Sequence, residues 1–330
     1  MTITLFLDGL NQIGYSFALA LPKDIFAIEA FDPDGKFLRK LKREKIIKKS
    51  IGQVAQGCKK ADIIIINQPV DFLELHYEAI GLNVRPGAIV VDTSPVPLYA
   101  GELANKFLPD ETAFVSMIPA FNLGTLKEAP FVRNSGGADA FRNSTFAVST
   151  PPTKLKDAEQ VATKLAHAVD TSVVYMDPVE AQEAMIKTHL LPQYTALAMQ
   201  QVILSHQSWR DEQRIASTDY YQGTNPLMGF VELEQPELAA LGNKESFVNM
   251  LDEIIEELQK IRTLIDRGNK DALNQLINET FESRTAWEEN RRRNSFGVEG
   301  APSDMPENDM FQRMLLGGLG GKKKKIRREK

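Results

Sequence analysis

Thr2-Ile3-Thr4-Leu5-Phe6-Leu7-Asp8 runs straight into Gly9-Leu10-Asn11-Gln12-Ile13-Gly14, and these thirteen residues decide the fold. The first part is an apolar strand, the second a glycine turn, and Tyr15 to Leu21 reads as a helix. A second strand-like run, Ile25 to Phe31, ends at Asp32. Strand, glycine turn, helix, strand and acid, in that order, form the layout of a dinucleotide-binding βαβ unit. In that layout Gly9, Asn11, Gln12, Ile13 and Gly14 form the phosphate loop, and Asp32 meets a ribose 2′-hydroxyl. Asn11 stands where the middle glycine of G-x-G-x-x-G would be, so a side chain intrudes where backbone approaches a pyrophosphate. The helix that follows still offers oriented N–H groups to an anion. The carboxylate of Asp32 favours NAD, since it would repel the 2′-phosphate of NADP. Arg39, Lys40, Lys42 and Arg43 could soften that repulsion and keep NADP open, but they read as the solvated face of a helix.

Working outward, further strands are expected at Ile63–Ile66, Ala88–Val91, Ala113–Met117, Phe146–Ser149 and Ser172–Met176, with a helix over 154–168. The fully apolar Ile63-Ile64-Ile65-Ile66 signals a strand buried on both faces, as in the middle of a parallel sheet. Strands alternating with helices at this spacing predict a doubly wound α/β sheet of the Rossmann type over residues 1–176. After Asp177-Pro178 the pattern turns helical, through 177–293, with Pro192 expected to kink or break the first long helix. Val248, Leu251, Ile254, Ile255, Leu258, Ile261 and Ile265 fall at helical spacing, and Leu273, Leu276, Ile277 and Phe281 continue it. Such broad apolar stripes predict burial against a partner subunit, and hence a homodimer. Residues 294–330 are rich in Gly, Pro, Ser and charge, and read as a disordered basic tail.

The chain has 330 residues, a net charge of −5 and one cysteine, Cys58. One cysteine excludes an internal disulfide framework and a cysteine-rich metal site, and suits a reducing cytoplasm. Four scattered histidines give no metal-ligand spacing. No apolar run approaches the length of a membrane span, and no basic region precedes the first strand, so a soluble cytoplasmic protein is expected. The last fourteen residues carry +6, leaving −11 on the rest. Lys322-Lys323-Lys324-Lys325-Ile326-Arg327-Arg328 could contact an acidic partner, RNA or an anionic surface, or only solubilise the chain.

Four further segments join the glycine loop in a resemblance to the prephenate/arogenate dehydrogenases. They are Ala61-Asp62-Ile63-Ile64-Ile65-Ile66-Asn67-Gln68-Pro69-Val70-Asp71, Arg85-Pro86-Gly87-Ala88-Ile89-Val90-Val91-Asp92, Phe141-Arg142-Asn143 through Thr150-Pro151, and Met176-Asp177-Pro178-Val179-Glu180, with Asp8 to Ser16 at the head. The similarity runs with gaps from residue 2 to about residue 290. It implies a Rossmann domain followed by an all-helical dimerisation domain. It also implies oxidative decarboxylation of a cyclohexadienyl substrate, with hydride passing to NAD(P)⁺. The family's H-P-M segment falls on Ile118-Pro119-Ala120, and isoleucine does no acid–base work. Its D-x-x-S-V-K segment falls on Asp92-Thr93-Ser94-Pro95-Val96-Pro97, with Ser94 one residue off the serine. Its S-H-L-P-H helix falls on His189-Leu190-Leu191-Pro192-Gln193, and its substrate arginine has no counterpart in Gly223 to Phe230.

The candidate catalytic residues are therefore His189 as base, Lys187 as donor and Ser94. Lys187 and His189 point about 200° apart on a helix, so at most one faces the cleft. Gln68, Pro69 and Thr93 follow strand ends, where open α/β sheets bind ligands, and join the cofactor set. Pro119, Gln193 and Asn225 are the candidate substrate contacts for a small molecule. The alternative is a dimeric dinucleotide-binding or regulatory protein that kept the fold without turnover.

Overall fold

The computed structural model describes residues 2–122, 124, 136–151, 158–230 and 237–294. The basic tail and the first residues of the helix expected over 154–168 lie outside them. Eight strands form one sheet in the order β3-β2-β1-β4-β5-β6-β7-β8. They are β1 (Ile3–Asp8), β2 (Phe26–Phe31), β3 (Lys49–Ile51), β4 (Ile63–Ile66), β5 (Ile89–Asp92), β6 (Ala113–Ala120), β7 (Thr145–Ser149) and β8 (Ser172–Tyr175). Neighbours run parallel except at β6–β7. The first six strands thus have the Rossmann order, with the reversal between β1 and β4 that opens a crevice at their carboxyl ends.

Alternation along the strands builds two cores. Leu5, Leu7, Ile63, Ile65, Val91 and Val115 face α1 (Gln12–Ala20), α2 (Gly35–Arg43) and α6 (Ala158–Ala168). Phe6, Ile64, Ile66, Val90 and Phe114 face α3 (Val54–Cys58), α4 (Leu73–Gly81) and α5 (Pro97–Phe107). All four isoleucines of β4 are fully buried, as a strand covered on both faces requires. Arg39, Lys40, Lys42 and Arg43 lie on the exposed side of α2.

The helical half begins at α7 (Pro178–Met185), whose N-terminus carries a capping box between Asp177 and Glu180. Pro192 does not break the helical run: α7, the turn Ile186–Leu190 and the next helix follow without a gap. Lacking an N–H, it is accommodated by one wide turn over Ile186–Leu190, where Leu191 N–H reaches back five residues to the Ile186 carbonyl. α8 (Leu191–Leu204) follows, then α9 (Trp209–Glu212), α10 (Thr218–Thr224), a 3₁₀ turn at Asn225–Phe230, and α11 (Leu238–Leu241). The long hairpin of α12 (Lys244–Asp266) and α13 (Lys270–Arg293) completes the described chain. Among the described residues, no helix is long and apolar enough to cross a membrane.

Candidate functional site: the crevice at the sheet reversal

Two of the three loop positions are filled as a dinucleotide turn demands. Gly9 has φ +100°, and a Cβ there would sit 2.6 Å from the Asn67 carbonyl oxygen, so only glycine makes this turn. A Cβ on Gly14 would sit 2.2 Å from the Gly9 carbonyl oxygen, so only glycine lets α1 lie this close to β1. Between them Asn11 is the N-cap of α1. Its Oδ1 accepts from Ile13 N–H at 3.0 Å and Gly14 N–H at 3.1 Å, and its Nδ2 donates to the Asn67 carbonyl at 3.0 Å. A carboxamide oxygen therefore stands where a diphosphate oxygen would take the same two N–H groups. Gln12 and Ile13 open the helix, half-buried.

Asp32 is 6% exposed and accepts from Leu10 N–H at 3.1 Å and Asp34 N–H at 2.8 Å. It ties the end of β2 to the loop. Asp8, fully buried at the end of β1, accepts from Gln68 Nε2 at 2.9 Å and lies 2.7 Å from His76 Nδ1 on α4. These partners engage both oxygens of its carboxylate. The buried Asn67 side chain donates to the Gly9 and Ile65 carbonyls, and its Oδ1 accepts from Thr93 Oγ1 at 2.9 Å. Pro69 precedes the 3₁₀ turn Val70–Phe72 that leads into α4. One connected polar net thus joins Asp8, Gly9, Asn11, Gly14, Asn67, Gln68 and Thr93, with Asp32 bound to the same loop.

Ser94 belongs to a neighbouring net. Its N–H and hydroxyl both donate to Asp92, which also accepts from Tyr77 OH at 2.9 Å. Burial pushes the Asp92 carboxyl up, against the pull of these donors and with help from the nearby Asp8 charge.

In the helical half the wide turn separates the two ionisable candidates. Lys187 is exposed and lies 3.8 Å from Glu183, another exposed group. His189 turns inward, and burial alone pushes its imidazole below the ordinary value, so it is neutral at pH 7. Its Nε2 lies 3.4 Å from Nε2 of the buried Gln193, a distance at which the amide donates to a neutral imidazole. Gln193 packs against Gly229 in the 3₁₀ turn. Gln182, buried on α7, accepts from Leu98 N–H at the start of α5 at 3.4 Å, and so links the two halves. Its Nε2 has no partner among the described residues. Pro119, half-buried on β6, and Asn225, half-buried at the head of the 3₁₀ turn, are joined to neither net by a hydrogen bond among the described residues.

Sequence pattern does not single out His76, Asn67 or Gln182. The signal for His76 is Asp8: a carboxylate ending a central strand is buried, and must find donors. The residues present fit the frame of a nicotinamide dinucleotide in turn, helix approach and ribose acid. The two N–H groups that a diphosphate would take are capped by Asn11.

No protein-family model matches the chain. A prephenate dehydrogenase of Lactococcus lactis subsp. cremoris is 23% identical over 266 residues, spanning 76% of this chain and 70% of that protein. The solved prephenate dehydrogenase of A. aeolicus, in complex with hydroxyphenyl propionate and NAD⁺, superposes with TM-score 0.74 at 16% identity, covering 87% of this chain and 98% of that one. The Synechocystis arogenate dehydrogenase gives 0.67 at 16% identity, covering 86% and 100%. By sequence the chain is similar to a prephenate dehydrogenase, and it shares the fold of solved prephenate and arogenate dehydrogenases.

Proposed function

We propose that the chain binds NAD, in preference to NADP, at the carboxyl ends of β1, β2 and β4, and that it is an oxidoreductase of the prephenate dehydrogenase type with a rebuilt substrate pocket. The observation that carries this is the β1–α1–β2 crossover. Its two glycines are held to glycine by geometry, and its acid sits at the end of β2. Asp32 faces the ribose and disfavours a 2′-phosphate. The N-terminal N–H groups of α1 receive the diphosphate once Asn11 turns aside. The bound nicotinamide supplies hydride transfer. The substrate is a small hydroxylated or anionic molecule between β5, β6 and α8. There Gln193 holds the imidazole of His189, uncharged at neutral pH, and Nε2 accepts a proton once that amide turns aside. Ser94 is a weaker candidate, because its hydroxyl is committed to Asp92.

Titration calorimetry with NAD⁺ and NADP⁺ tests the reading, followed by reduced-nicotinamide absorbance with prephenate and arogenate. Absence of binding at millimolar coenzyme ends it. One set of observations favours a second reading, dinucleotide binding without turnover: Ile118 stands at the acid–base position, and Lys187 is exposed and faces Glu183. Tight NAD⁺ binding with no hydride transfer from either substrate supports that alternative.

The partner in both readings is a second copy of the chain. Leu258 and Ile265 on α12, and Ile277 and Phe281 on α13, are each more than half exposed. A stripe of this size calls for a covering surface. Phe281→Asp is expected to turn a dimer into a monomer in sedimentation velocity, and a wild type that sediments as a monomer refutes the assignment. The buried thiol of Cys58 is in keeping with a reducing, cytoplasmic setting.

A further inference from the structure

Asp8 is an acid in a place built for an apolar side chain. It ends β1 one residue before Gly9, and it points to the same face of the sheet as Phe6, two residues earlier in the core. Packing does not call for a charge there, since apolar residues of similar volume serve a buried position as well as an ion pair does, or better. Asp8 is nevertheless fully buried, with Oδ1 taken by Gln68 Nε2 and Oδ2 lying 2.7 Å from His76 Nδ1.

The pair stands where three strand ends meet. Asp8 is in register with Phe31 on β2 and with Ile66 on β4, and Gly9 N–H donates to the Phe31 carbonyl. The His76 side chain is 11% exposed, and its ring centroid lies 6.1 Å from that of Phe31. The Asp8 charge reaches beyond its own partners. Burial and then that charge push the Cys58 thiol on α3 up to about 12. Burial also raises the carboxyl of Asp92, across Ile66 in the same row, and the Asp8 charge adds to the rise. A charge felt across β4 is felt as well in the loop that begins at the next residue. Among the described residues, no lysine or arginine pairs with Asp8, so His76 is its cationic partner.

We infer that His76 is a positioning residue for the coenzyme: acting through Asp8, it keeps the floor of the glycine turn electrically neutral, so that a diphosphate can be seated there. An ionised Asp8 without its imidazole repels an anion arriving at the N–H groups of Ile13 and Gly14. Gln68 cannot replace His76 in this, because an amide donates a hydrogen bond but brings no charge. Placed on α4, the imidazole compensates the acid from outside the loop and occupies none of the N–H groups that receive the ligand. The inference rests on the coenzyme reading above, and names the group that makes a buried acid compatible with that ligand.

The test titrates NAD⁺, ADP and adenosine calorimetrically into the full chain, comparing wild type, His76→Gln, and His76→Gln combined with Asp8→Asn. Glutamine keeps a donor for Asp8 and removes the charge. His76→Gln is expected to weaken NAD⁺ and ADP by about tenfold to twentyfold, the size of one unit-charge repulsion at roughly 10 Å and an effective dielectric constant of about 20. Adenosine, which has no phosphate, should bind unchanged. The loss should shrink as salt is raised, and the double variant should return both anionic ligands to wild-type affinity. If His76→Gln does not fold by circular dichroism, the double variant decides. Wild-type affinity there upholds the inference, and a tenfold loss overturns it, since no buried charge is left to compensate. Unchanged NAD⁺ affinity in His76→Gln, an equal loss for adenosine, or no recovery in the double variant also overturns it. A wild type that binds ADP but not NAD⁺ removes the coenzyme reading alone, with ADP then carrying the test; one that binds neither removes both.

Discussion

Replacing Asn11 by glycine removes the side chain that competes with a diphosphate, and the structure sets the size of the effect. The amide makes two capping bonds, from Ile13 and Gly14, and a third to the Asn67 carbonyl. An N-cap of this kind is worth about 1 kcal/mol, and an ordinary net hydrogen bond about another 1 kcal/mol. Displacing Asn11 therefore charges coenzyme binding about 2 kcal/mol, a factor of about thirty in affinity. Glycine caps a helix nearly as well as asparagine, losing only a few tenths of a kcal/mol. The protein should thus lose at most about 1 kcal/mol of stability, mostly the bond to Asn67, while NAD⁺ binds about tenfold to thirtyfold more tightly.

Asn11→Asp separates this account from a general loosening of the loop. Aspartate keeps the acceptor for the two N–H groups and suits the positive end of the α1 dipole. But it too loses the bond to the Asn67 carbonyl, so stability falls by about 1 kcal/mol, much as with glycine. It also sets a negative charge in the phosphate seat, and affinity should fall by about tenfold or more. The expected order of NAD⁺ affinity is glycine, asparagine, aspartate, with stability following no such order. Calorimetric titration gives the affinities and urea unfolding the stabilities. A glycine variant that binds NAD⁺ no more tightly than wild type would refute the reasoning. It would mean that the carboxamide accommodates the diphosphate instead of competing with it.

Two other expectations rest on buried ionisable groups. His76→Ala leaves the fully buried Asp8 with Gln68 alone, and breaking such a pair should cost about 3 kcal/mol in urea unfolding. The double replacement Asp8→Val with His76→Leu should recover most of that loss, and a double variant as weak as the single one sinks the argument. His189 has its pKa lowered by burial from the ordinary 6.5, so below that pH the unfolded chain takes up a proton that the folded chain resists. Stability should therefore rise with pH across the window beneath 6.5 and level off above it, and His189→Gln should flatten that part of the curve. An unchanged slope would place His189 in contact with solvent.

Packing was more legible in the sequence than partnership. Ile63 to Ile66 declares a central strand because burial on both faces leaves no polar residue to break the run. Gly9 and Gly14 declare the crossover because geometry denies their positions to other residues, and Asp32 because an acid follows the second strand and ties it to the loop. β3 is invisible for the opposite reason. Lys49-Ser50-Ile51 is a three-residue edge strand held by one neighbour, and a lysine on an edge is what blunts aggregation, so no apolar run marks it. The wide turn at Ile186–Leu190 shows how a correct local rule can yield an unexpected outcome. Pro192 does forbid one helical bond, but a five-residue loop of backbone absorbs the defect. That same turn sends His189 inward and leaves Lys187 exposed.

The polar nets belong to a different order of information. His76 reaches Asp8 across sixty-eight residues, and Arg291 reaches Phe121 across one hundred and seventy. No periodicity within a segment encodes such pairs. What the sequence does carry is the demand for them: an acid ending a central strand cannot stay alone, and an asparagine three residues before a helical glycine is a cap before it is an obstruction. At Asn11 both roles fall on one side chain. The folding preference of α1 and the binding of an anion draw on the same two N–H groups, so whatever stabilises the free loop is subtracted from the affinity for its ligand.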